Sequence, residues 1–512
     1  MKYLIISTII LSTLFFSCED DLDQLPLSTT TAENFYVTEL DFEQARNATY
    51  SVALHGTNGD NYGYPNRVLN LSETRSDNLF ATTVASRDWE GLNNFFTSSL
   101  TNNSLISEAF IVNYNAIYKA NQLIEKIEEK GDQVFIDEHD MYVMDAEARF
   151  LRAFCYFDLV RYFGKVPLLD KTVSPEAATK IGRAPVSDIY DLIIADLEVA
   201  ADSLPDQHDV IGRATKNWAK TLLGLVYMTR SSPTYGIEGP GMNSNEWQDA
   251  YNVLNEVATS GLHSFAPTYS EIFTTEGAAN VENVMSIPYE GLNLGVGGSW
   301  IINTTSDQYM QHIGLTPDMG GIEERPVSVD FRTLFDDADA RLAFGIVDTF
   351  TVASTGQRYD GYFSPDPIMI KFADASRYGT GGRTDWGVDF IVFRYTDVLM
   401  MMAECILNGA TGSLDVDDLV NDVRERAGLA RDAVGVTLED LFVERRKEFF
   451  NEGKRWFDLY RSGDAVQIMN DWRVAEGASA IVNEVTANSL LYPIPESQMN
   501  VVPGLYTQNP GY

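Results

Sequence analysis

Three cysteines, five histidines and 74 carboxylates are the side chains in this 512-residue chain best suited to covalent, metal or acid–base chemistry. Cys18 has the most informative setting. It follows Met1–Ser17, which carries one positive charge at Lys2, an apolar stretch through Phe16 and small Ser17. That is the layout of a secretory signal. The segment ends Leu14-Phe15-Phe16-Ser17-Cys18, which resembles a lipobox. Cleavage before Cys18 would free an amine, and that amine and the thiol would carry acyl chains. Phe15 stands where such boxes usually have Leu, and the alternative is an ordinary signal peptide with a chance cysteine. Cys155 and Cys405 lie in apolar helical patterns, so buried free thiols are expected, although export would permit a disulfide. His55, His139, His208, His263 and His312 are scattered without metal-ligand spacing. HExxH, CxxC, GxSxG and Walker patterns are all lacking. Asp336-Asp337-Ala338-Asp339 lacks the spacing and glycine of a calcium loop and fits a helix-end acidic cluster better. No pair among the acids is singled out for acid–base work at a defined separation. No metal and no cofactor are expected.

Composition narrows the partners. The formal charge is −37, a field that repels phosphate backbones and makes nucleic acid an unsuitable ligand. It also repels anionic ligands at long range unless a local basic pocket overrides it. Hydrophobic residues make up 45% and aromatics 12%, with 25 Tyr and 7 Trp. After Cys18 no stretch reaches the roughly 18 uninterrupted apolar residues needed to cross a bilayer. Glu19-Asp20-Asp21-Leu22-Asp23 then reads as a solvated tether, and several acyl chains would anchor the protein rather than span the membrane.

The elements that must position any site are helical. Asn113–Lys130 places Ala116, Ala120, Leu123 and Ile127 on one face, with Gly131 as the expected C-cap. Met141–Phe163 carries two apolar stripes, Ala146, Phe150, Ala153, Phe157 and Leu151, Cys155, Leu159, Tyr162, so it packs between neighbours and ends at Gly164. Ser187 is the expected cap of a helix with Ile189, Ile193, Leu197, Ala200 and Leu204 on one face, stopped by Pro205. Ala214–Thr229 follows, then a helix starting at Asn245 with Trp247, Ala250, Leu254 and Val257 inward. Val398–Leu407, Leu419–Arg426 and Leu441–Asn451 come later, the last behind a capping box at Thr437-Leu438-Glu439-Asp440. Recurring helix pairs with alanine contacts fit degenerate tetratricopeptide-like repeats, with an irregular helical domain as the alternative. Two long irregular regions, 55–103 and 264–388, interrupt the pairs. Short β runs are expected at Val284–Pro288 and Phe390–Tyr395.

Several segments resemble the SusD/RagB family. They are Asp21-Leu22-Asp23-Gln24-Leu25-Pro26 with Thr31-Ala32-Glu33-Asn34-Phe35-Tyr36, and Ala146–Ala153 through Tyr162–Leu168. Further on come Arg394–Leu399, Val423–Gly428, Glu444–Glu448 with Gly453–Leu459, Tyr492-Pro493-Ile494-Pro495 and Gln508–Tyr512. The resemblance covers the mature chain in order. It implies a mainly α fold of four tetratricopeptide-like helix pairs with long loop insertions and a few short β-strands. The organisation would be a signal over 1–17, a lipidated acidic tether over 18–30, an N-terminal part over 31–263 and a C-terminal part over 264–512, packed as one unit. It further implies an outer-membrane lipoprotein displayed on the cell surface. Such a protein captures nutrient, glycan first and peptide second, and hands it to a SusC-like TonB-dependent transporter without catalysis. A surface glycoside hydrolase and a repeat scaffold for protein partners are the alternatives.

A sugar ring offers apolar C–H faces to Trp or Tyr and hydroxyls to planar polar groups. Arg75-Ser76-Asp77-Asn78 followed by Trp89, with Tyr62 and Tyr64 alongside, supplies both in the first irregular region. Tyr289 and Trp300 are the candidates in the second. Arg75, Asp77, Asn78 and these five aromatics are the expected ligand contacts. Glu147, Arg149, Arg152, Arg445, Arg446, Glu448 and Arg455 are expected as structural ion pairs, and Trp456 and Phe457 as core.

Overall fold

The computed structural model describes residues 35–56, 63–81, 87–274, 280–291, 295–315, 325–359, 367–379 and 382–512. The signal segment, Cys18, the acidic tether and Tyr62 lie outside these residues.

Eleven of the helices build the frame: α1 Glu39–Tyr50, α2 Ser104–Val134, α3 Glu138–Phe163, α4 Val186–Ser203, α5 Lys216–Ser231, α6 Trp247–Ala258, α7 Tyr395–Leu407, α8 Val416–Arg426, α9 Leu438–Phe449, α10 Arg455–Ser462 and α11 Ala465–Ala475. From α2 to α7 each packs on the next, so the helix pairs stack into one frame. α6 and α7 are neighbours in space although the whole second irregular region separates them in sequence. That region is therefore an insertion between two stacked helices, and its buried residues, Trp300 and Trp386 among them, join the same core. No described helix is long and apolar enough to cross a membrane.

The apolar periodicity behaves as expected. Both stripes of α3 are buried, as are the inward faces of α4 and α6. Gly164 caps α3 in a positive-φ conformation, and Thr437 with Asp440 forms the capping box of α9. Three boundaries differ. Gly131 lies inside α2, which continues to Val134, because an added Cβ would meet Met141 Sδ at 2.5 Å; the glycine serves close helix approach rather than capping. Ser187 sits in the first turn of α4, whose cap is Pro185, and the Ser187 hydroxyl donates to Asp188 instead. Asn245 adopts positive φ one residue before the cap of α6. Asp339 caps the short helix Ala340–Gly345 and binds Arg341, as a helix-end acid does.

Among the described residues six short strands form three two-stranded antiparallel ribbons. β1 (Asn283–Ile287) pairs with β6 (Phe390–Arg394), β2 (Ile346–Val347) with β5 (Ile368–Met369), and β3 (Phe350–Val352) with β4 (Gln357–Tyr359). The β1–β6 ribbon ties the two ends of the insertion together beneath α7. One hydrophobic cluster runs from Tyr50 to Ile494 through α3, α5, β1, β6 and α10. Cys155 and Cys405 are buried and unpaired, and burial pushes the Cys155 thiol up to about 12.

The charged motifs lie inside. Arg394 binds Glu448 (2.8 Å), Glu452 (3.0 Å) and Glu282 (3.4 Å), while Arg341 and Arg426 also reach Glu448 and Lys371 reaches Glu452. Arg445 joins Asp397 to Asp458, which Arg461 shares with Glu404. In the first half Arg152 holds Asp196 and Glu147 receives Arg46 and Arg213. Trp456 and Phe457 are buried among these groups.

Candidate functional site

A cavity of about 780 Å³ is an open groove walled mainly by three backbone segments, with Ile211 adding a side chain from a fourth. The first is the π-helical turn Ser51–His55 that continues α1 and ends at Gly56. The second comprises the described residues 288–291 and 295–297, which follow β1. The third comprises 376–379, 387 and 389, which precede β6.

Backbone contacts bind the second and third walls to each other. Gly298 N–H donates to Trp386 O at 2.7 Å, and Trp386 N–H returns the bond to Gly298 O at 3.3 Å. Within the walls, Glu290 N–H donates to Val296 O (3.0 Å), Gly379 N–H to Asp385 O (2.8 Å) and Gly387 N–H to Arg377 O (2.8 Å). The approach is too close for side chains. A Cβ at Gly297 would lie 2.6 Å from Asp385 Cα and from Thr384 O, and one at Gly387 would lie 2.7 Å from Gly291 N. Glycine runs at these places are thus a packing requirement, and they leave an unusually backbone-rich lining.

Side chains on that lining are aromatic or planar and polar. Tyr289 is 6% exposed, and the edge of the His55 ring meets it at 5.0 Å between centroids. Tyr378 is half-buried and leans on Trp386 at 5.1 Å. Arg377 donates from Nε (2.9 Å) and Nη2 (2.6 Å) to Gly387 O, which fixes its guanidinium against the wall. Asp389 Oδ1 accepts the Tyr289 N–H at 3.0 Å. Glu290 and Ser376 stand exposed at the mouth, beside the exposed apolar side chains of Ile211 and Val296. Burial pulls the His55 imidazole down to about 4, so the ring is neutral near pH 7. Burial likewise lowers the Arg377 guanidinium, with Asp389 opposing that shift. Among the described residues no cluster of His, Cys, Asp and Glu could hold a metal ion. The arrangement can stack ring faces on tyrosine and satisfy hydroxyls with peptide groups, imidazole and carboxylate.

The eight residues expected from sequence to contact ligand fall into three groups. Tyr62 is outside the described residues. Tyr289 lines the groove, although it too is 6% exposed. The other six are buried away from the groove, which corrects the expectation of an exposed platform. Tyr64 packs on Phe154 (4.8 Å) and Phe390 (6.2 Å), and burial pushes its hydroxyl up to about 12. Arg75 lies over Phe95 (4.0 Å) and Tyr492 (4.7 Å) and donates to Leu92 O and Ser489 O. Asp77 receives Arg455 at 2.8 Å through both oxygens and Arg446 at 3.2 Å. Burial alone would raise its carboxyl, yet the two guanidiniums outweigh that and hold it at about 2. Asn78 bridges Glu73 and Arg446. Trp89 is 3% exposed with Arg325 over its ring at 5.1 Å. Trp300 is fully buried against Phe372 (4.7 Å) and Phe390 (5.1 Å) and does not line the groove.

His55, Glu290, Arg377, Tyr378 and Asp389 escaped the sequence reading. A usable signal existed. Two glycine-rich stretches each open on tyrosine and close near tryptophan, Tyr289–Trp300 and Tyr378–Trp386, and mutual packing of glycines would bring them together.

The chain can now be set beside known proteins. A family model described as "SusD family" matches residues 349–512, and one described as "Starch-binding associating with outer membrane" matches 23–228. The SusD-like protein P2 of Formosa agariphila is 27% identical over the full length of both chains. Among solved structures, a laminarin binding SusD-like protein is 25% identical with a TM-score of 0.71, covering 93% of this chain and 100% of that one. Surface glycan-binding protein A from Bacteroides thetaiotaomicron in complex with laminarihexaose is 20% identical with a TM-score of 0.75, covering 92% and 99%; that likeness is one of fold.

Proposed function

We propose that this chain, which belongs to the SusD/RagB family, is a cell-surface lipoprotein that captures glycan in the Tyr289–Tyr378 groove and passes it to a SusC-like TonB-dependent transporter. The observation that carries the reading is the groove itself: about 780 Å³, open to solvent, floored by Tyr289 and edged by Tyr378, with backbone-rich walls. Such a lining takes a sugar by ring stacking and hydroxyl hydrogen bonds rather than by charge pairing. A 25% identical structure named for laminarin binding, and a family model described as starch-binding, support the choice of a carbohydrate.

Anchoring follows from Cys18, whose thiol and freed amine receive acyl chains, with the acidic tether holding the folded body clear of the bilayer. The protein works by capture and release, without bond cleavage, so modest affinity suits it. Asp389 fits a positioning role, because its Oδ1 is already committed to the Tyr289 N–H.

Calorimetric titration with laminarin- and starch-type oligosaccharides tests the binding, and chromatography of the mixture tests for products. Binding without new products is expected, and Tyr378→Ala weakens it at least tenfold, about 1.4 kcal/mol, while the protein stays folded. Turnover by homogeneous protein, or undiminished binding by the variant, overturns the reading.

A further inference from the structure

Building on the groove as a glycan site, we propose that it selects uncharged polysaccharide and rejects sulfated or uronate-bearing polymers. Among the described residues that line it, the ionisable groups other than tyrosine are His55, Glu290, Arg377 and Asp389. Arg377 is the cation of this set, and two of its nitrogens already serve one carbonyl, Gly387 O, at 2.9 and 2.6 Å. Asp389 is close enough to attract its charge. The imidazole of His55 is neutral near pH 7, because burial holds it at about 4. Glu290 is a solvent-exposed carboxylate of the lining.

An anionic substituent entering this groove meets two carboxylates and a guanidinium already engaged with backbone and acid. Recognition of sulfate or carboxylate calls for a planar fork of donors aimed at the ligand, and Arg377 turns two of its five N–H groups to the wall instead. Beyond the groove, the chain carries a formal charge of −37, so the long-range field adds to the local one. The local basic pocket that could have reversed this field is not built from the described lining. Hydroxyls suffer no such penalty, since peptide groups, imidazole and carboxylate all pair with them.

The test keeps the polymer backbone constant and changes only its charge. Binding of the full-length chain in detergent micelles is measured against laminarin and amylose, each beside its own sulfated derivative, at about 50 mM and about 500 mM salt. The sulfated form is expected to bind at least tenfold more weakly at low salt, with the gap shrinking at high salt as screening sets in. Glu290→Gln is expected to narrow the ratio of the two Kd values several-fold. Equal or tighter binding of the sulfated form at low salt, lost in Tyr378→Ala, overturns the charge selection while leaving the groove as a glycan site. Binding of neither neutral polymer refutes the underlying reading, and this inference with it.

Discussion

The interior brace around Asp77 and Glu448 and the groove around Tyr289 are held together by opposite means. In the brace, charged side chains far apart in sequence meet in full burial: Arg455 reaches Asp77 across 378 residues, and Arg394 reaches Glu448 across 54. In the groove, backbone meets backbone, and glycines are there because anything larger would collide. A buried ion pair is weak support when compared with an apolar replacement, yet removing one partner is severe, since the other charge is left stranded. A glycine wall carries little energy of its own and leaves peptide groups for a ligand. The lesson is that the charge-rich motifs that stand out in the sequence form the skeleton, and the quieter glycine–tyrosine stretches form the working face.

The largest expected effect lies in the brace. Glu448→Ala takes away the carboxylate that Arg394, Arg426 and Arg341 share, leaving these buried cations in excess over Glu282, Glu452, Asp339 and Glu444, and is expected to cost about 3–5 kcal/mol in denaturant unfolding. A loss under about 1 kcal/mol would erase the distinction between the two regions. Next is Gly297→Ala, whose added methyl meets backbone atoms of the opposite wall at 2.6 Å. It is expected to cost about 1–3 kcal/mol and to weaken glycan binding several-fold, because the walls must part. Unchanged affinity would separate the wall contact from binding.

Acid should loosen the regions in different windows. His55 is held at about 4 against an ordinary 6.5, so the unfolded chain takes up the proton first and the groove loses stability as pH falls from 6.5 through 4. Asp77 is held at about 2 against 3.8, so its contribution persists above about 4 and drains only as pH falls toward 2. Amide exchange followed from pH 7 downward checks the order. Loss of protection at Leu69–Asn78 before that at the groove walls would contradict it.

Much of the frame was legible, because a helix face that must be buried repeats its apolar residues with the helical period. The inward faces of α3, α4 and α6 are of this kind. Boundaries were less so: Gly131 and Ser187 have the chemistry of caps but sit within helices, where packing and chain direction decide. The candidate site was mostly illegible for a physical reason. Arg75, Asp77 and Trp89 look like ligand contacts until their partners are known, and those partners, Ser489, Arg455 and Arg325, are remote in sequence. Conversely, His55 and Tyr378 carry no periodic signal, since loop side chains are placed by contacts between distant backbone segments.

The central claim is that ligand meets the glycine–tyrosine groove and not the charged interior. Amide hydrogen exchange of the protein with and without saturating glycan tests it most directly. Added protection is predicted at 288–291, 295–298, 376–379 and 382–389, with none at 69–78. Protection of 69–78 and 87–93 with unchanged exchange in the groove segments would contradict it.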